Sequence, residues 1–237
     1  MIVNLLTLFF STFSGAWLAR WFTSRNHPGL KILLAFSGSF ILAITALHIL
    51  PDIYDRSGHN HIVGLFIMLG ILLQIVLEFF TQGIEHGHHH HHDNVLSLSK
   101  GAVVGLYLHS ILESLPLGVQ WILDEGNLLF WGVVFHHLPI GIILYMILKS
   151  KGLKRNKILF YLALFAMSSP AGALAGYFIP AFQKIFVYLL AIVAGIFMHI
   201  STTIIFESSH DHRFNMMKLV TIVLASSLAF GMVEFLH

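Results

Sequence analysis

A histidine and a glutamate share one helix face within an apolar stretch of the chain. His109 and Glu113 are four residues apart in 108–118, so a helix places both side chains on the same side. Pro116 follows and leaves the carbonyl oxygen of Leu112 without its helical donor, which favours a kink beside a cavity. Because ionisable groups are costly at membrane depth, this pair indicates a functional site.

A second set of ligand-type side chains follows in the next apolar stretch. His136 and His137 lie near its centre, beside Pro139. If the two stretches are antiparallel neighbours, Glu113 lies at the depth of His137, and His109 lies one helical turn deeper. Imidazole nitrogens and a carboxylate suit Zn²⁺, Fe²⁺ or Mn²⁺. The pattern therefore predicts a mid-membrane site for a divalent cation of the zinc type.

A structural role is the alternative for these side chains, since a mid-membrane histidine can simply hydrogen-bond a neighbouring helix. The convergence of two sets at one depth favours metal binding. His199 is different, because it stands alone in a later apolar stretch, and both roles stay open for it.

The apolar stretches are long enough to be membrane spans. Of the 237 residues, 57% are hydrophobic and 10% charged, and the mean hydropathy is +0.81. Such a chain cannot cover the surface of a water-soluble domain. We expect a single all-α integral membrane domain over 1–237 with eight transmembrane helices. With roughly 20 residues needed for each, these lie at about 2–22, 31–50, 62–80, 99–122, 128–148, 157–178, 183–206 and 216–236.

Charge and composition narrow the chemistry further. The chain has no cysteine, which excludes thiolate sites, and its 17 histidines outnumber the 13 Lys and Arg. The net charge of +2 gives no indication of nucleic acid, and no such partner is expected. Placing the N-terminus outside leaves only Arg56 and Lys184 among the basic residues on the outer side. The excess of Lys and Arg in the loops on the inner side thus predicts that both termini lie outside and that the loop 81–98 lies in the cytoplasm.

Further candidate ligands stand at the ends of the spans. The cytoplasmic loop is rich in histidine and would collect or sense ions weakly; its candidates are His86, His88, His89, His90, His91 and His92. His48 and Asp52 would form an outer entrance at the second span. Glu207, His210 and His212 would form an inner exit at the seventh. Each of these can also be an ordinary interfacial polar residue.

These motifs resemble those of the ZIP (Zrt/Irt-like) metal transporter family. The segment H-S-I-L-E-S at 109–114 is similar to the family's H-[NS]-x-x-[DE]-G pattern. His136 and Pro139 match the fifth-span pattern, which is close to H-E-x-P, and 48–52 resembles H-x-x-P-[ED]. Phe206 and Glu207 resemble the family's P-E segment, with Phe206 in place of the proline. The resemblance covers the whole chain, including the eight spans and the His-rich loop.

The resemblance implies a ZIP-like helical bundle that transports a divalent metal ion toward the cytoplasm and is not an enzyme. The ion would be Zn²⁺, with Fe²⁺, Mn²⁺ and Cd²⁺ as competitors, and it is the substrate, not a prosthetic group. The implied ligands are His109, Glu113, His136 and His137, with Ser110 as a weak one. The implied mechanism moves spans 1, 4, 5 and 6 against the others, in a homodimer within the lipid bilayer. A plasma membrane or bacterial inner membrane is the default location.

Besides Phe206, three positions depart from the family pattern. His137 stands where the family often has an acid, Ile140 where many members have Glu or His, and Ser114 where glycine is usual. The missing carboxylate predicts one transport site instead of two. It also keeps open a membrane metal sensor or non-transporting scaffold. An intramembrane zinc hydrolase is a further alternative, although no H-E-x-x-H motif occurs.

Overall fold

Helices make up all the regular structure that the computed structural model describes, which covers residues 1–22, 27–81, 100–124, 127–207 and 216–236. The helices are α1 Ile2–Leu18, α2 Pro28–Ile44, α3 Leu50–Arg56, α4 Ile62–Thr81, α5 Lys100–Leu123, α6 Leu128–Ser150, α7 Arg155–Phe178, α8 Pro180–Lys184, α9 Phe186–Glu207 and α10 Met216–Leu236. The all-α prediction is confirmed for these ranges.

Seven of the described helical segments are long and apolar enough to cross a membrane. They are the continuous segment 28–56 and helices α4, α5, α6, α7, α9 and α10. The predicted first span at 2–22 corresponds to α1, which has 17 residues and is followed by a 3₁₀ turn at Ala19–Trp21. At 1.5 Å per residue α1 is about 25 Å long, less than the roughly 30 Å of a hydrocarbon core. An eighth span and the outside termini therefore stay predictions.

The second span is longer than predicted and contains a wide turn. It runs from Pro28 to Arg56, and Thr45–Ile49 form a π-helical turn in which the N–H of Leu50 bonds the carbonyl oxygen of Thr45. Pro51 follows and has no N–H to donate, so the regular α-helical ladder cannot continue through this point. This π-helical turn contains His48, one of the two residues predicted to form an outer entrance, and the other, Asp52, follows in α3.

The helices pack in two groups. In the first, α5 packs on α7, and α1 packs on both α6 and α7. In the second, α4 packs on α9, and α2 packs on α9 and α10. The groups meet where α4 contacts α5 and where α2 contacts α6. The residues predicted to form the transport site, on α5 and α6, thus belong to the first group, beside its boundary with the second.

Glycine allows the backbones of α5 and α7 to touch. A Cβ atom at Gly172 would clash with the carbonyl oxygen of Ile111, which lies between His109 and Glu113 in sequence. Gly70 has the same relation to Ile192 between α4 and α9. Close backbone approach through small residues is the common way to hold membrane helices together, because lipid gives no hydrophobic drive for their association.

We expect Gly172→Val to destabilise the protein, because the added carbon atoms would push α7 off the part of α5 that carries the site. Overpacking of this kind costs about 1–3 kcal/mol. Thermal unfolding in detergent measures the effect. The matched control is Gly231→Val on α10, where an added Cβ meets no atom within 4 Å. Equal melting temperatures for the two variants would show that the α5–α7 contact can relax.

Candidate metal site

The carboxylate of Glu113 lies between two imidazoles from different helices. Its Oε1 atom is 2.6 Å from Nε2 of His137 on α6, and its Oε2 atom is 3.3 Å from Nε2 of His109 on α5 itself. All three side chains are fully buried. The structure therefore brings together the residues that helical spacing on α5 and antiparallel depth on α6 suggested.

His109 and Glu113 could hold one metal ion together with a further histidine of α6, His136. Ligand atoms of His109, Glu113 and His136 all lie within 4.8 Å of one another. The ring centroids of His109 on α5 and His136 on α6 are 6.0 Å apart, and the two rings are nearly perpendicular. Two ligands of a tetrahedral Zn²⁺ ion are about 3.3 Å apart. The separation of 3.3 Å between His109 Nε2 and Glu113 Oε2 fits that value.

His137 has a different geometry from the other two histidines. At 2.6 Å its Nε2 is at hydrogen-bond distance from Glu113, too close for both atoms to ligate the same ion. A carboxylate only accepts hydrogen bonds, so the imidazole N–H donates. The ring also lies 5.8 Å from that of the buried Phe165 on α7. In this arrangement His137 orients the carboxylate, and its role as a ligand stays a prediction.

Ser110 lies beside His137. Its Oγ atom is 3.4 Å from Nε2 of His137, the nitrogen that Glu113 already engages. The serine is fully buried. This position supports at most the weak ligand role predicted for it.

Gln74 on α4 extends the site, and the sequence reading did not single it out. Its Oε1 atom is 3.1 Å from Nδ1 of His109, and both side chains are fully buried. An amide oxygen only accepts, so Nδ1 of His109 carries the proton and Nε2 is the nitrogen that could ligate an ion together with Glu113. Metal-bound histidines generally donate their second N–H in this way. The signal in the sequence is that Gln74 and Glu78, one helical turn apart, interrupt a span that is largely apolar.

His199 also has a partner that sequence reading missed. Its Nε2 atom is 2.7 Å from Oε2 of Glu78, which lies one helical turn beyond Gln74 on α4. Both side chains are partly exposed. The expectation that His199 stands alone at depth is therefore wrong. The pair joins α4 to α9 within the second group of helices.

The predicted entrance residues are not among the three side chains that converge at the site. His48 is partly buried in the π-helical turn, and Asp52 bonds Arg56 at 2.8 Å on α3. Neither belongs to the group formed by His109, Glu113 and His136. The remaining predicted ligands lie outside the described residues and stay predictions. They are the side chain of Glu207 and the whole of His86, His88, His89, His90, His91, His92, His210 and His212.

Comparison with protein families identifies the chain. The family model described as ZIP zinc transporter matches residues 99–232, which is more than half of the sequence and includes both helices of the site. The chain belongs to the ZIP family. Members of the ZIP family are integral membrane proteins that transport divalent metal ions and are not enzymes. The predicted membership is confirmed, and the hydrolase alternative is excluded.

Gln74→Leu tests the arrangement around His109. Without the amide acceptor, Nδ1–H loses its partner and the ring can turn or take the other tautomer. Loss of such a partner weakens metal binding about 10–100-fold. We expect the zinc KM for uptake to rise by that factor, whereas Gln74→Glu keeps an acceptor oxygen and stays closer to wild type.

The control for this change is Gln120→Leu, which removes a different buried amide, on α5 instead of α4. A structural disturbance would lower the amount of folded protein in both variants and leave KM alone. An unchanged KM in Gln74→Leu would show that the contact to His109 does not tune the ligand.

Proposed function

We propose that this ZIP protein carries Zn²⁺ toward the cytoplasm through the cluster of His109, Glu113 and His136. Membership of the family supplies the transport of divalent metal ions. The observation that carries the rest is the convergence of three buried ligand atoms within 4.8 Å at the centre of two apolar spans. Polar groups buried this deeply are expensive unless they bind something of opposite charge.

The ligand types favour zinc among the divalent ions. Two imidazoles and one carboxylate form a borderline set that suits Zn²⁺, and three protein ligands leave a fourth position for water or for a further ligand during passage. Fe²⁺, Mn²⁺ and Cd²⁺ are the natural competitors, because affinity order alone does not set selectivity. The chain has no thiolate to offer to softer ions.

The charge of the site suits transport more than storage. One carboxylate and two neutral imidazoles compensate only half of the charge of a divalent ion. A transport site must bind the ion well enough to strip its water and weakly enough to release it. Direct bonding of His137 to Glu113 supports this balance, because it withdraws part of the carboxylate's electron density from the ion.

A single ion in the site is the simplest proposal for this chain. Ile140, where many family members have an acid or histidine, is buried against Leu144 and Phe165 in an apolar cluster. Ser114 is also engaged, since its Oγ is 2.6 Å from Oγ of Ser169 on α7. Both positions contribute packing where a second ion would need oxygen ligands.

The two groups of helices support a movement of one against the other. Helices α1, α5, α6 and α7 pack together, and the site lies on two of them. From the second group, α4 reaches the site through Gln74. We propose that the first group carries the ion past α4 and α2, from the outer to the cytoplasmic side.

Zinc uptake by liposomes that contain a zinc-sensitive dye tests the transport site. We expect His109→Ala and Glu113→Gln to lower the uptake rate by at least about 100-fold, since each removes a ligand and not only its support. The control is His27→Asn, which removes an imidazole but keeps a side chain able to cap α2. A folded wild type that binds zinc but moves no divalent ion would favour the sensor alternative.

The two neighbouring histidines of α6 should respond differently to the same change. His136→Gln removes a ligand nitrogen, so uptake should fall as far as in His109→Ala. His137→Gln keeps an N–H donor for Glu113, so uptake should fall by about tenfold only. Zinc titrations of the purified variants give the matching affinities. Equal losses in the two variants would contradict the separate roles that the distances suggest.

A further inference from the structure

A groove lies between α1, α6 and α7, and none of His109, Glu113 and His136 lines it. Its volume is about 620 Å³, within the range of roughly 300–1,000 Å³ typical of ligand pockets. Apolar and aromatic side chains line most of it, and two basic side chains stand at its rim. The principal lining residues are Phe13, Trp17, Ile158, Leu162, Lys149 and Arg155.

The rim of the groove is strongly basic. The segment 149–157 contains five Lys and Arg residues and no acid. Neither Lys149 nor Arg155 forms an ion pair with a carboxylate among the described residues. Lys149 Nζ lies 5.8 Å from the ring centroid of Tyr145, which also lines the groove. Two cations thus flank one opening with their charge uncompensated.

The opening lies at the level where a membrane meets water. Lys149 is in the last turn of α6, and Arg155 begins α7. Trp17 and Trp21 lie at the same end of α1, with ring centroids 4.8 Å apart and more than half of each side chain exposed. Tryptophan concentrates at the level of lipid headgroups. The orientation predicted from the excess of basic residues puts this end on the cytoplasmic side.

We propose that the groove binds one anionic phospholipid of the cytoplasmic leaflet. The phosphate lies between Lys149 and Arg155, and an acyl chain runs down the apolar wall past Phe13 and Leu162. Basic pockets between membrane helices recognise anionic headgroups in this manner. A phosphatidylcholine headgroup carries its own cation, which the two basic side chains repel. The preference for net negative charge therefore follows from the rim alone.

A bound lipid would strengthen the group of helices that carries the metal site. Residues of α1, α6 and α7 line the groove, and α6 also carries His136 and His137. Filling it replaces a void with dispersion contacts on all three helices. The lipid is then an integral part of the packing of this group, and its binding does not depend on the presence of zinc.

Native mass spectrometry of the purified full chain tests this site. Phosphatidylglycerol and phosphatidylcholine with identical acyl chains are titrated in detergent. We expect one phosphatidylglycerol to bind preferentially, and Lys149→Gln and Arg155→Gln each to weaken it about fivefold, the contribution of one cation near an anionic surface. Lys154→Gln and Lys157→Gln are the matched controls, because they remove the same charge from exposed positions outside the groove.

Ala16→Trp separates a built site from general attraction. Ala16 lines the groove, so a large side chain there should block the acyl chain while leaving every basic residue in place. We expect phosphatidylglycerol binding to be lost in this variant and zinc binding to be retained. Equal affinity for the two lipids, equal losses in all four charge variants, or full binding by Ala16→Trp would each overturn the proposal.

Discussion

The buried carboxylate of Glu113 is the constraint on which the arrangement of the first group of helices depends. A charged group at this depth requires partners, and those partners come from its own helix and from α6. Because the atoms must meet at 2.6–3.3 Å, the depth of α6 relative to α5 is fixed to within a fraction of a helical turn. The close α5–α7 contact at Gly172 then sets the distance of α7, and Phe165 closes the site from that side.

The same requirement explains where the other polar side chains of the spans lie. Gln74 faces His109, Glu78 faces His199, and Ser114 faces Ser169, each across a helix boundary. On the outer surface of the bundle, α4 and α10 expose large apolar side chains, as helices in contact with lipid should. Polar pairs in this protein therefore join three pairs of neighbouring helices, α4 with α5, α4 with α9 and α5 with α7.

Sequence reading succeeded where spacing alone fixes geometry. The i, i+4 relation of His109 and Glu113 is a property of any helix, and the short turn after α5 makes α6 an antiparallel neighbour. It failed where rotation about a helix axis matters. The position of Gln74 or His199 within its span gives the depth of the side chain in the membrane but not the helix that it faces. The facing helix is set by packing between segments that are distant in sequence. Likewise, hydropathy could not place the π-helical turn at Thr45–Ile49 or the end of α1 at Leu18.

The contact between Gln74 and His109 crosses the boundary between the two groups of helices, and this location has a thermodynamic consequence. If separation of α4 from α5 breaks the bond and lowers zinc affinity by 10–100-fold, the cost is about 1.4–2.7 kcal/mol. Reciprocity then requires that a bound ion holds the two groups in contact by the same free energy. Zinc binding and the contact between the two groups of helices are therefore linked equilibria. The amide of Gln74 sets the strength of that linkage.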